Sequence, residues 1–214
     1  MRKVISRQEA AALVQDGMTL GMLGFVTLSV PEELLVSLAA LALLVWICSG
    51  LLYCTAESNS KIQIELAAAE LKKLGIEGVE YTASSSNEVQ QVVESMMGKV
   101  DAIYTPTDNT IASAMTVIAS IANEHKVPTV CGEVAHVEAG GLASLSINYE
   151  ELGRRAGEMA VRILTEGAEP AAMPIESMGA AECDLVYNGQ TAEALGIDVT
   201  SLVEDGATDV SAAE

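Results

Sequence analysis

Three short polar segments contain the residue types that could bind a ligand: TAESNS at 55–60, TPTDNT at 105–110 and GEVAH at 132–136. Each follows an apolar run typical of a buried strand. Where such strands are parallel, their carboxyl ends meet at one edge of the sheet, and α/β proteins bind ligands at that edge. Hydroxyl groups and free N–H groups at helix starts suit a carboxylate, whereas an aspartate or glutamate suits an ammonium group. The three segments therefore favour a small polar ligand that carries both groups.

The candidate ligand-binding residues are Ser58, Asn59, Ser60, Thr107, Asp108, Asn109 and Glu133. Several of them also stand where a helix is expected to start, and Ser, Asn and Asp are favoured N-cap residues. Taken singly, such a residue is better explained as a helix cap. The convergence of three loops favours binding, with Asp108 as the partner of a ligand ammonium group.

No pattern in the sequence is typical of catalysis or of a bound cofactor. There is no P-loop and no Ser-His-Asp or Cys-His arrangement. Glu133, His136 and Glu138 could hold a metal ion, but the two histidines lack the spacing of a zinc site, and isolated loop residues of these types are usually solvated. The four cysteines have no C-x-x-C spacing and are interpreted as buried free thiols. We expect a protein that is not an enzyme and has no cofactor or metal.

Composition and charge exclude several classes of partner. The 214 residues carry a formal net charge of -19, which argues against nucleic acid and anionic membranes. A hydrophobic content of 50% argues against a disordered chain. No Lys or Arg follows Arg162, and residues 198–214 are interpreted as a solvated acidic tail.

Strands and helices alternate from about residue 50, which predicts an α/β fold with a parallel sheet flanked by helices. The predicted strands are GLLYCT at 50–55, VEYTA at 79–83, VDAIYTP at 100–106, VPTVCG at 127–132 and LASLSIN at 142–148. The predicted helices start at Ser58 or Asn59, after a capping box formed by Ser85 and Glu88, at Asp108, and at about residue 149, with Gly75 and Gly167 ending the first and last.

Residues 34–53, LLVSLAALALLVWICSGLLY, form an apolar run about long enough to span a bilayer. The basic residues Arg2, Lys3 and Arg7 precede it, so the positive-inside rule would place the following chain outside the cell. The alternative is a helix from Pro31 to about residue 44, followed by a buried strand. The first interpretation predicts an extracytoplasmic protein anchored through residues 34–53, and the second leaves a cytoplasmic protein open.

Residues 50–197 resemble the solute-binding proteins of ABC importers, in the family that includes tryptophan- and other aromatic-amino-acid-binding members. The motifs that carry the resemblance are ESNS, SSNEVQQVVESMMGKVDAIYTPTDNTIASA, VCGE and INYEELGRRAGEMAVRIL. The resemblance implies one lobe of a type-I periplasmic-binding fold, which closes on its ligand between two lobes, and places the loop residues in the cleft. Most of the first lobe has no counterpart before residue 50, and Cys54 stands where the family has Asn or a similar polar residue.

Residues 1–40 resemble instead the start of a CoA-transferase, through DGMTLGMLGFVTLSVPEEL. Leu23 replaces a glycine of the family's Gly-Gly-Phe, Ser29 replaces another glycine, and the catalytic glutamate segment is missing. The predicted organisation is a foreign segment at 1–45, a solute-binding lobe at 50–197 and an acidic tail at 198–214. The predicted function is the truncated solute-binding component of an ABC importer, with an amino acid as ligand and an ABC permease as partner. The alternatives are an inert fusion or degraded gene product, and a non-catalytic CoA-transferase fragment.

Overall fold

Seven strands form one sheet within residues 48–211, the part of the chain that this computed structural model describes. The CoA-transferase-like segment, the helix predicted from Pro31 and the apolar run as far as residue 47 lie outside the described residues. The strands are β1 (Cys48–Cys54), β2 (Glu77–Ala83), β3 (Ala102–Thr105), β4 (Thr129–Cys131), β5 (Ala143–Ser146), β6 (Asp184–Tyr187) and β7 (Thr208–Asp209). The helices are α1 (Ser58–Lys73), α2 (Ser86–Met96), α3 (Asn109–Glu124), α4 (Val134–Glu138), α5 (Tyr149–Glu166), α6 (Gly189–Leu195) and α7 (Thr200–Glu204).

The strand order is β2-β1-β3-β4-β5-β6-β7, and the first five strands in the chain are mutually parallel. The predicted α/β fold with a parallel sheet flanked by helices is therefore confirmed for these strands. Strands β6 and β7 have no counterpart among the predicted strands, and β6 runs antiparallel to β5, with Ser146 paired to Asp184 and Ala143 to Tyr187. The chain between β5 and β6, which includes α5, thus leaves the sheet at the carboxyl end of β5 and returns beside that end, where β6 begins.

Helices cover both faces of the sheet because residues of the central strands alternate in direction. On one face Leu51 and Tyr104 pack against α1 residues such as Ile64. On the other face Leu52 and Ile103 pack with residues of α2 and α3. Helix α5 differs from the others, since none of its residues is buried.

Several predicted helix boundaries are confirmed and two caps are not. Asp108 accepts hydrogen bonds from two backbone N–H groups at the start of α3, as a cap should, and Gly167 ends α5 in the left-handed conformation. Helix α1 begins after Glu57, which makes no side-chain cap bond, so Ser58 is its first residue and not its cap. Glu88 reaches Ser84 rather than Ser85, accepting from both its N–H (3.0 Å) and its hydroxyl (2.7 Å).

The acidic stretch from residue 198 is part of the fold, in contrast to the predicted solvated tail. Leu202 on α7 is 2% exposed and lies in the core. Strand β7 pairs with β6, and Thr208 lies opposite Val186. Glu204 on α7 is exposed, so its charge stays solvated while the helix packs through Leu202. The prediction of a solvated tail, which rested on charge alone, is therefore wrong for residues 198–211.

The apolar run at 34–53 is not one continuous span. Its last six residues belong to β1, which lies between β2 and β3 with Leu51 and Leu52 fully buried. This agrees with the alternative that ended the run in a buried strand. Within residues 48–211, no helix combines the length and apolar character needed to cross a bilayer.

Candidate ligand-binding site

The loops that follow β1, β3, β4 and β5 all lie at one edge of the sheet, because these strands are parallel. We call this edge the rim, formed by residues 55–59, 106–109, 132–134 and 147–149. All three predicted polar segments contribute to it. GEVAH is mostly helical, since α4 begins at Val134 immediately after Glu133.

Asp108 holds two rim loops together through its buried side chain. Its side chain is 1% exposed, and one oxygen accepts from the N–H groups of Thr110 and Ile111 at 2.9 Å. The other oxygen accepts from the N–H of Cys54 at 2.8 Å and from the Ser60 hydroxyl at 2.7 Å. Both oxygens are therefore engaged by the chain's own donors, and the geometry favours the capping interpretation over an ammonium partner.

A chain of contacts joins the first loop to the second. The Asn59 amide donates to the carbonyl of Thr107 at 3.0 Å, and the N–H of Thr107 donates to Gln63 Oε1, also at 3.0 Å. Ser60 is completely buried beneath them, whereas the side chains of Ser58 and Asn109 are exposed at the rim. Of the predicted residues in these two loops, Ser58, Asn59, Thr107 and Asn109 thus retain access to a ligand.

The third loop approaches the second so closely that only glycine fits at position 132. A Cβ on Gly132 would lie 2.7 Å from the N atom of Thr107 and 2.8 Å from the carbonyl carbon of Pro106. Both are backbone atoms, which cannot rotate away as a side chain can. Gly132 also donates its N–H to the carbonyl of Thr105 at 2.8 Å. This contact fixes Glu133 beside the first two loops.

Glu133 is a rim carboxylate that contacts a histidine and no Lys or Arg. Its side chain is 18% exposed, and its Oε1 lies 3.0 Å from Nε2 of His136. Among residues 48–211, no Lys or Arg forms an ion pair with it. Burial, together with the negative charge of Glu133, raises the pKa of the neighbouring Tyr149 to about 12. At Glu133 the rim therefore presents a partly buried carboxylate next to an aromatic ring.

The sequence reasoning missed two residues at this site as ligand-site components. Tyr149 begins α5 directly after β5, so its place after a parallel strand could have indicated a rim position. His136 is 1% exposed and contacts Thr105 Oγ1 through Nδ1 at 3.2 Å. Nothing in its sequence context distinguishes a buried histidine from a solvated one.

Glu133, His136 and Glu138, which the sequence analysis considered as metal ligands and set aside, do not form a metal site in the described residues. No group of three or more His, Cys, Asp or Glu side chains in residues 48–211 could hold an ion. His136 is directed at Thr105 and Glu133, while Glu138 is exposed. The four cysteines are free thiols; Cys54, Cys131 and Cys183 are buried and Cys48 is partly exposed.

Comparison with known proteins identifies the family. A family model of ABC transporter substrate-binding proteins matches residues 48–211. The chain belongs to this family. The Tyrosine-binding protein of Clostridioides difficile (strain R20291) is 40% identical over 152 residues, which cover 71% of this chain and 43% of that protein. The chain thus corresponds to less than half the length of that relative.

Solved structures that are similar in sequence share the fold. The structure of an ABC domain in complex with L-Trp from Streptococcus pneumonia is 36% identical with a TM-score of 0.69, covering 76% of this chain and 55% of that one. A conserved domain protein from Vibrio cholerae is 33% identical with a TM-score of 0.74, covering 84% of this chain and 60% of that one. The α/β sheet described above therefore has the architecture of a periplasmic-binding-like fold.

Proposed function

We propose that residues 48–211 bind an amino acid as part of the substrate-binding component of an ABC importer. The observation that carries the proposal is Glu133, a partly buried carboxylate at the rim that contacts His136 through Oε1 and has no Lys or Arg partner among the described residues. A partly buried carboxylate without a full positive charge beside it is costly, and a ligand ammonium group would relieve that cost. Tyrosine and tryptophan are the first candidates because a tyrosine-binding protein and an L-Trp complex are among the relatives.

The ligand carboxylate would lie at the other end of the rim, at the start of α1. Glu57 makes no side-chain cap bond there, so the first-turn N–H groups and the exposed Ser58 hydroxyl suit an anion. The Asn59 amide donates to the Thr107 carbonyl, and the Thr107 hydroxyl donates to the carbonyl of Gly132 at 3.5 Å, so these residues connect this point to Glu133. Asp108 and Ser60 act beneath the rim in this proposal, by holding the loops in place.

The proposal is tested by titrating the full chain with L-tyrosine and L-tryptophan, followed by NMR. A ligand held by this rim alone is expected to bind with a Kd of about 1 mM, since about half of the contacts of a two-lobed site would offset the full cost of immobilisation. Glu133→Gln should weaken binding about 10-fold or more, because a hydrogen bond to a charged group contributes about 1.5–3 kcal/mol. Glu138→Gln, an exposed glutamate on α4, is the matched control and should bind as the wild type does.

Two results would refute this assignment. One is the absence of any chemical-shift change in residues 55–59, 106–109 and 132–134 at ligand concentrations well above 1 mM. The other is equal binding by Glu133→Gln and the wild type.

We also propose an extracytoplasmic location and an ABC permease as the partner, as expected for the binding component of an importer. Family membership supports both. Fractionation of cells that express the chain, with protease added to the outside, measures the location. Protection from protease in intact cells, with digestion after lysis, would contradict the extracytoplasmic location.

A further inference from the structure

We infer that His136 is a positioning residue, which holds the Glu133 carboxylate in place to receive the ligand ammonium group. This inference rests on the proposed function. The imidazole is 1% exposed and lies between two polar groups. Its Nδ1 is 3.2 Å from Thr105 Oγ1, and its Nε2 is 3.0 Å from Glu133 Oε1. His136 is therefore too buried to touch a ligand itself, but it contacts the residue that would.

The two contacts together determine where the ring proton lies. A carboxylate only accepts, so a neutral ring with a bare Nε2 would place two lone pairs 3.0 Å apart. The proton must therefore be on Nε2, and Nδ1 then accepts from Thr105. The Thr105 hydroxyl has a second acceptor within reach, the Val130 carbonyl, but at 3.5 Å it is the more distant of the two. The neutral Nε2–H tautomer places its proton between Nε2 and Glu133 and lets Nδ1 accept from Thr105, and an imidazolium would also place a proton on Nε2.

The ring cannot readily turn away, because the backbone around it is held from three sides. The N–H of Val134 donates to Ser146 Oγ at 3.1 Å, and the carbonyl of His136 accepts from the N–H of Gly141 at 2.9 Å. The Asn188 amide donates to the carbonyl of Val137 at 3.0 Å. Helix α4 is thus fixed to β5 and to the start of α6, and its histidine is fixed with it.

The contact with Glu133 is close but bent. The distance is that of an ion pair, yet the geometry at Nε2 is not that of a hydrogen bond. A bent contact of this kind biases the position of Oε1 and leaves Oε2 for a ligand. Replacement of the histidine should therefore change recognition of the ammonium group more than recognition of the rest of the ligand.

The test uses two variants of His136 and two ligands. In His136→Gln the amide nitrogen can take the place of Nε2, whereas His136→Met fills a similar volume without a donor. L-tyrosine is compared with 3-(4-hydroxyphenyl)propionate, which lacks the amino group. We expect His136→Met to bind tyrosine about 10-fold more weakly and to bind the propionate as before, while His136→Gln stays within about 3-fold of the wild type for both. A merely structural role would weaken both ligands in parallel, or would affect Gln and Met alike, and either result would overturn the inference.

A second measurement does not need a ligand. The chain has two histidines, and His125 is exposed, so it serves as an internal reference. Imidazole ¹⁵N spectra at alkaline pH should show a proton on Nε2 of His136, and Glu133→Gln should shift the His136 signals while leaving those of His125 unchanged. A proton on Nδ1 alone would overturn the inference even where ligand binding is found. Failure of both ligands to bind, with Nε2 protonated and sensitive to Glu133, would instead reject the proposed function.

Discussion

Replacement of Asp108 should destabilise the fold, because its carboxylate satisfies four donors beneath the rim. Asp108→Ala removes the cap of α3, worth about 1 kcal/mol. It also leaves the Cys54 N–H and the Ser60 hydroxyl without their acceptor, at about 1 kcal/mol for each buried group at the low end of the usual range. The free energy of unfolding should therefore fall by about 3 kcal/mol, which corresponds to a Tm about 6–12 °C lower for a domain of this size.

Urea denaturation followed by circular dichroism measures this loss, with Asn109→Ala as the matched control. Asn109 is the next residue, lies at the surface and should change the free energy of unfolding by less than about 0.5 kcal/mol. Asp108→Asn keeps one cap acceptor but sets an amide N–H₂ against the Cys54 N–H, so an intermediate loss of about 2 kcal/mol is expected. The reasoning is refuted if Asp108→Asn keeps full stability and loses only ligand binding, because the carboxylate would then act on the ligand.

Three further predictions concern the close loop contact and the buried thiols. Gly132→Ala should lower the free energy of unfolding by about 1–3 kcal/mol, because its methyl group would overlap the backbone of Pro106 and Thr107. Gly157→Ala, in a helix with no atom within 4 Å of the added methyl group, should raise it by about 0.5–1 kcal/mol. Equal effects of the two substitutions on the free energy of unfolding would contradict the overlap at Gly132. Burial raises the pKa of the Cys131 thiol to about 12, so iodoacetamide at pH 9 should label Cys48 in the folded protein and Cys131 only in urea, as peptide mass spectrometry would show. The unfolded thiol ionises near pH 8.5 and the folded one only near 12, so stability should fall as the pH rises above about 8.5. Urea midpoints at pH 7.5, 9 and 10 measure this, and an equally steep fall in Cys131→Ala would argue against that thiol.

Local sequence signals predicted the parallel part of the fold because they are short-range. The apolar runs at Leu51–Leu52 and at Ala102–Tyr104 are bounded by polar loops, and Asp108 precedes a helix with the usual N-cap geometry. These features depend on a few neighbouring residues. The edge at which ligands bind follows directly from the strand direction.

Other features depend on packing between distant residues and could not be predicted in this way. Strand β6 has four residues and pairs with β5 in the opposite direction, which only the path of the intervening 37-residue segment decides. The burial of His136 depends on how α4 packs on β3 and β5. The sequence allows Asp108 to be either a helix cap or a ligand contact. Its hydrogen bonds to Cys54 and Ser60, which favour the cap, join residues about 50 positions apart in the chain. The CoA-transferase resemblance of residues 1–40 stays a prediction.

The reversal of β6 has a practical consequence for building a biosensor from this chain. Since β6 ends beside Ala143, at the start of β5, the chain emerges from it at the edge opposite the rim. Helix α6 follows there, and its Glu193 is exposed. Immobilisation through a residue introduced at position 193 would orient the molecule with its rim towards the solution. A dye at position 109 would then report on an arriving ligand without interference from the support.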